Sequence, residues 1–120
     1  MKKVIHQYYS FHLLTFLLLI LISGCEKGNG IDKELLLGTW VSTDKVDLLD
    51  FRSDNDLYKN GDHYNYSISN DSITLQYSGI LYIYVEPTTH YCKLKGDELI
   101  IDFRPYCYGF RQQVIKFNRE

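Results

Sequence analysis

From residue 38 to residue 119, apolar and polar side chains alternate in short runs broken by Gly, Asn, Asp and Ser. Alternation with a period of two marks a β-strand with one buried face, because successive side chains point to opposite sides. The clearest case brackets Asn70-Asp71. A two-residue turn there sets Ile68 opposite Ile73, Tyr66 opposite Leu75 and Tyr64 opposite Tyr77, while Ser67 meets Thr74 and Asn65 meets Gln76. One register sorts apolar residues to one side and polar residues to the other, which a half-buried hairpin requires. Gly96-Asp97 has glycine at the first central position, where a type II′ turn needs it, and pairs Leu94 with Leu99 and Cys92 with Ile101. Ser78-Gly79 predicts another hairpin, into a strand over residues 80–85 that is apolar on both faces. A plain turn puts Ile80, Tyr82 and Tyr84 inside. A glycine bulge puts Leu81, Ile83 and Val85 there instead, and fits better because tyrosine tolerates a wet outer surface.

The remaining elements follow from weaker patterns. Residues 38–44 and 46–52 predict the first two strands, and residues 112–119, with Ile115 and Phe117 on one side, the last. Residues 31–37 predict one helical turn, with Asp32 as N-cap and Gly38 as C-cap. Pro105 ends a strand, and Tyr106-Cys107-Tyr108-Gly109-Phe110 is an aromatic loop. Ser53-Asp54-Asn55-Asp56 and Lys59-Asn60-Gly61-Asp62 read as loops. Their acids suggest calcium, but Tyr58 stands at the third ligand position, where Asp or Asn is needed, so solvated turns are the better account. No metal is expected. Short strands, tight turns and one helical turn point to an all-β fold, an antiparallel barrel or sandwich.

Residues 1–24 carry a different pattern. Lys2 and Lys3 precede an apolar run over residues 13–22, long enough for a signal sequence and well short of the ~20 residues that span a bilayer. The run ends Ile22-Ser23-Gly24-Cys25, which resembles a bacterial lipobox. That resemblance implies acylation of Cys25 after cleavage before it, and a chain held in the bacterial cell envelope, with the outer membrane the expected site and the face left open. Residues 1–24 are then a signal peptide, 25–30 a lipidated tether, and 31–120 the folded domain. Several acyl chains anchor a protein durably, where one alone is marginal.

Composition narrows the function. With 45% hydrophobic and 23% charged residues the chain is of globular type, and a net charge of −2 without a basic cluster after Lys3 argues against nucleic-acid binding. Once Cys25 is acylated, Cys92 and Cys107 remain. In an oxidising compartment they are either a disulfide, worth roughly 3 kcal/mol for a loop of about 15 residues, or two buried free thiols. Their spacing suggests no metal or redox site. His63 and His90 sit in or beside predicted loops, and no G-x-S-x-G, H-E-x-x-H or P-loop motif occurs, so no enzymatic activity and no cofactor are expected. The unusual feature is tyrosine, with 11 in the chain. Tyrosines at strand alternation either line an aromatic cup for an amphipathic ligand or form cross-strand pairs of a small β-domain.

The stretch Leu35-Leu36-Leu37-Gly38-Thr39-Trp40 ties these readings together. Gly38 and Trp40 at the start of the first strand resemble the G-x-W opening of the lipocalins, and the chain resembles the short lipocalin-like lipoproteins of bacteria, which share an L-x-G-x-W opening after a lipobox. The resemblance implies a small up-and-down β-barrel with a helical turn as its plug, Trp40 lying across the closed end and Arg119 from the last strand packed on the indole. A ligand would then enter at the opposite end, for which the Tyr106–Phe110 loop is the candidate mouth and Tyr66, Tyr82, Tyr84 and Tyr108 are the candidate ligand-binding residues. The T-D-Y-type motif of full-length lipocalins is missing, and so short a barrel can be filled by its own side chains. The expected function is a monomeric, membrane-anchored, non-catalytic module binding a small hydrophobic or aromatic molecule. The alternative is a filled barrel that serves a protein partner or the envelope itself. A continuous apolar cavity of ~300 Å³ would distinguish the first from the second.

Overall fold

The computed structural model describes residues 30–80 and 83–120. Cys25 and Tyr82 lie outside the described residues. One helical turn, α1 (Lys33–Leu36), is followed by eight strands: β1 (Gly38–Ser42), β2 (Leu48–Phe51), β3 (Asp56–Lys59), β4 (Asp62–Ser69), β5 (Ser72–Tyr77), β6 (Thr88–Lys95), β7 (Glu98–Asp102) and β8 (Val114–Arg119). Each strand pairs antiparallel with the next, and β8 returns to pair with β1, so the sheet closes into an up-and-down barrel. The connections alternate between two ends. α1, the β2–β3 link, Asn70-Asp71 and Gly96-Asp97 cluster at the plug end. Residues 43–47, Asn60-Gly61, 78–87 and 103–113 form the loop end.

The two hairpins with clear patterning have the registers that the alternation dictates. Ile68 faces Ile73, Tyr66 faces Leu75 and Tyr64 faces Tyr77 across β4 and β5. Leu94 faces Leu99 and Cys92 faces Ile101 across β6 and β7. In β8, Ile115 and Phe117 point inward and are buried.

Three expectations are corrected. The solvated turn expected over Lys59–Asp62 is tighter than four residues: Lys59 ends β3 and Asp62 opens β4, and Asn60-Gly61 joins them with φ of 49° and 90°, the pair of positive values that a type I′ turn needs. β3 is hard to see because only Leu57 of its four residues is buried. Conversely, no strand is found in the described part of residues 80–85. β5 pairs with β6 instead, through Ile73 opposite His90 and Leu75 opposite Thr88. With that ladder complete, the apolar run has no strand edge to join, and Ile80 and Tyr84 are left 93% and 78% exposed. Gly38 does not cap α1. Leu37 does, and Gly38 opens β1 at φ 119°. A Cβ there would sit 3.3 Å from Arg119 Nη1, in a backbone conformation that L side chains rarely adopt.

The interior is filled. Trp40, Phe51, Tyr64, Phe103 and Phe117 are each at most 1% exposed and pack with Leu49, Leu57, Ile73, Leu99 and Ile101 in one cluster. Burying a large apolar side chain is worth about 1.5–3 kcal/mol. Several of these rings are in edge contact, Phe51 with Tyr66 at 5.1 Å and Tyr64 with Tyr77 at 5.4 Å, a geometry that suits the quadrupoles of aromatic faces.

Candidate functional site

The plug end is built on Trp40. Its indole is fully buried, and Nε1 donates to the carbonyl of Leu36 at 2.8 Å, which fixes α1 under the barrel. Asp32 starts that turn by accepting from the amide of Glu34 at 3.0 Å. Arg119 is the cross-strand neighbour of Trp40, and its guanidinium lies 4.2 Å from the ring centre. The same group donates to the carbonyls of Leu37, at 3.0 Å, and Leu35, and to Asp97 at 3.2 Å. Gly38, Trp40 and Arg119 therefore meet at one point, and the fork of Arg119 ties α1, β1, β8 and the β6–β7 turn together.

Beside this plug, at the rim of the barrel, lies a cleft of about 800 Å³ lined by Ile31, Asp32, Leu35, Asp71, Tyr91, Lys93, Leu94 and Arg119, among others. Its apolar wall includes Leu35 and Tyr91, which are 57% and 51% exposed. Its polar side carries three carboxylates, Asp32, Asp71 and Asp97, against the cations of Lys93 and Arg119. Sequence reasoning did not find this cleft. Its wall is made where residues 30–35 come up against the β4–β5 turn, the Ile31 amide donating to the carbonyl of Asn70 at 3.0 Å, and against β6.

The loop end is lidded. Residues 103–113 fold over the barrel mouth, with Phe103, Cys107 and Phe110 buried and Phe103 stacked on Phe110 at 4.2 Å. Tyr64 Oη donates to the carbonyl of Tyr108 at 2.9 Å, and Lys59 Nζ donates to that of Gly109 at 2.5 Å. Arg111 pins the lid to the β1–β2 loop through Asp44 and Asp47, both at 2.6 Å. The guanidinium beside Asp44 holds that carboxyl well below the usual carboxylate range. Lys59 reaches the buried Asp47 from the other side at 3.4 Å. Two cations on one buried carboxylate satisfy the rule that buried charge must be paired.

No family model, curated protein or solved structure matches this chain.

The four tyrosines singled out from the sequence do not form one cup. Tyr66 is buried, and its hydroxyl donates to the carbonyl of Ser53 at 2.6 Å near the plug end. Tyr108 is half-buried in the lid, 4.8 Å from the Tyr77 ring. Tyr84 is exposed on the long β5–β6 connection, and Tyr82 lies outside the described residues. Cys92 and Cys107 are buried free thiols, not joined in the structure. Burial pushes the Cys92 thiol up to about 12, and the Cys107 thiol rises for the same reason.

Both histidines lie in strands, His63 beside the Asn60-Gly61 turn as expected and His90 within β6. His90 is buried in β6. Its Nδ1 donates to the carbonyl of Asp102 at 3.2 Å, which leaves Nε2 to accept from Thr88 Oγ1 at 2.7 Å. His63 stands on the outer wall, where Tyr58 faces it across β3 and β4 and Asp56 is the diagonal neighbour. Its Nε2 lies 2.8 Å from Asp56 Oδ1, and its Nδ1 is hydrogen-bonded to the hydroxyl of Ser78. The bonds to His63 and to Ser53 lower the Asp56 carboxyl below its ordinary value. A cleft of about 320 Å³ lined by Tyr58, Gly61, Asp62, His63, Ser78, Gly79 and Ile80 opens beside the three. The signal for half of this cluster was legible. Extending the Tyr64–Tyr77 pairing by one residue puts His63 opposite Ser78, and the amide of Ser78 indeed donates to the carbonyl of His63 at 3.0 Å.

Proposed function

We propose that the protein is a lipid-anchored binding module of the bacterial cell envelope that takes its ligand at the rim of the barrel, in the cleft beside the plug. The observation that carries this reading is the distribution of space. The interior is occupied by its own aromatic side chains and both ends are covered, while the larger of the clefts described here lies against α1. Its volume falls within the range of small-molecule sites, and an apolar wall facing a few charged groups suits an amphipathic ligand. The anchor rests on Ile22-Ser23-Gly24-Cys25. Four residues separate Cys25 from Gly30, which lines the cleft, so the five extended steps between them reach at most about 18 Å. An acylated Cys25 therefore keeps the plug end close to the bilayer and favours ligands that partition there. The reading keeps the small ligand of the first expectation and takes from the alternative only the filled interior.

Native mass spectrometry of the protein purified from its own cells tests the site. A co-purifying small molecule is expected, and Leu35→Asp with Tyr91→Ala should release it. A molecule retained by that double variant and lost in Tyr108→Ala would place the site at the loop end and overturn the reading. The anchor is tested separately: Cys25→Ala should leave the detergent phase in Triton X-114 separation.

A further inference from the structure

We propose that Asp56, His63 and Ser78 form an acyl-transfer site on the outer wall of the barrel, with Ser78 as nucleophile, His63 as general base and a small neutral ester as substrate. β3 and β4 supply two of the groups and the residue just past the end of β5 the third, and the register aligns them. Ser78 continues the β5 ladder past Tyr77 to lie opposite His63, and Asp56 lies diagonally across β3 and β4. The hydrogen bonds fix the imidazole tautomer. A carboxylate accepts only, so with a neutral ring Nε2 carries the proton toward Asp56, and Nδ1 is left to accept from the Ser78 hydroxyl. This is the nucleophile–base–orienter arrangement of hydrolytic triads, with the two ring nitrogens exchanged. Tyr58 holds the ring from one side, its centroid 4.9 Å from that of His63.

The surroundings favour chemistry over a purely structural bond. Ser78 is exposed at the edge of the 320 Å³ cleft, so its oxygen can reach a bound carbonyl. The next two amides, those of Gly79 and Ile80, donate to no described residue and remain available for an oxyanion. A Cβ on Gly79 would run into the ring and hydroxyl of Tyr77, so a larger residue there would have to displace that side chain. Asp62 lines the cleft together with Ile80 and Tyr58. A carboxylate disfavours anionic substrates, and the two apolar surfaces suit a short acyl chain.

The step balances as follows. Ser78 Oγ attacks the ester carbonyl carbon while His63 Nδ1 takes the hydroxyl proton. The tetrahedral oxyanion collapses, the bond to the leaving oxygen breaks, and His63 returns the proton to that oxygen as the alcohol departs. Water then attacks the acyl-serine by the same route, releasing the carboxylic acid and restoring the Ser78 hydroxyl.

The test uses purified full-length protein with p-nitrophenyl acetate and a fluorophosphonate probe. We expect ester hydrolysis above background, with the phosphonyl adduct mapped to Ser78. Ser78→Ala should abolish both, and His63→Ala should lower kcat/KM ~10²-fold or more, the usual worth of a general base. Asp56 acts as a positioning residue, so Asp56→Asn should lower kcat with KM and Tm unchanged. Wild-type hydrolysis no faster than that of Ser78→Ala, with the variant shown to be folded by circular dichroism, overturns the proposal. So does an activity that survives Ser78→Ala and is lost in His63→Ala, which would make histidine the nucleophile.

Discussion

At the scale of single residues, the barrel depends most on Trp40. Its ring is fully buried, and its one polar atom is satisfied by Leu36, so truncation removes a core aromatic and frees α1 at once. Trp40→Ala is expected to cost about 3–5 kcal/mol, read from chemical denaturation. Arg119→Lys should cost less, about 0.5–2 kcal/mol for the lost stacking, because lysine lacks the planar fork that reaches three acceptors. A Trp40→Ala melt within a degree of wild type would show that the indole does not hold the plug. His90 makes stability depend on pH. Burial lowers its proton affinity below that of an exposed histidine. The unfolded chain then binds the proton more readily, so stability is complete above about pH 6.5 and is lost as pH falls through that value toward the lower folded one. The melting temperature should fall between pH 7 and pH 5, and His90→Gln should flatten that slope. Thr88 and the Asp102 carbonyl bond the ring, and the charge of the Asp102 carboxylate opposes part of the effect of burial. The two thiols add a third check. A Cys92 thiol held near 12 has almost no thiolate at pH 8, so Cys92 and Cys107 should resist Ellman's reagent in the native protein and react once it is unfolded.

At the scale of elements, the lid over residues 103–113 shows how a loop can be as fixed as a strand. Gly109 has φ 81°, and a Cβ on it would collide with the Tyr64 hydroxyl that bonds the neighbouring carbonyl. Gly109→Ala should destabilise the domain by about 1 kcal/mol or more. It should also speed hydrogen exchange at the Phe110 amide, which now donates to Cys107. Elements whose two faces differ strongly in polarity were legible in the sequence, as β4, β5, β6 and β7 show through Tyr66, Leu75, Cys92 and Ile101. β3 was not, because a single inward leucine gives no period, although Asn60-Gly61 is a strong local hairpin signal. Residues 80–85 misled for the opposite reason: β-propensity is high there, but tertiary pairing had already used the available edge of β5. The plug was legible because Gly38, Trp40 and Arg119 are chemically specific. The outer-wall cluster was legible only in part: the β4–β5 register carries His63 to Ser78, but Asp56 stands on β3, which the sequence pattern did not show.

At the scale of the whole molecule, closure removes every free edge of the sheet. A partner can therefore be gripped only by side chains or at the two ends, not by adding a strand. Closure also sets an order of events. β1 is an inner strand only because β8 arrives beside it, with Trp40 opposite Arg119 and Ser42 opposite Phe117. Until β8 is made, the edge of β1 stays open and the indole lacks its cation. Contacts between sequence-distant segments form slowly, since the intervening chain must first be ordered. A chain cut before Val114 should thus keep hairpins but no barrel, and should associate through the exposed edge, which size-exclusion chromatography would detect. The same dependence acts as a clock: the seam delays closure until β8 has been made, and a chain that lacks it stays open and soft.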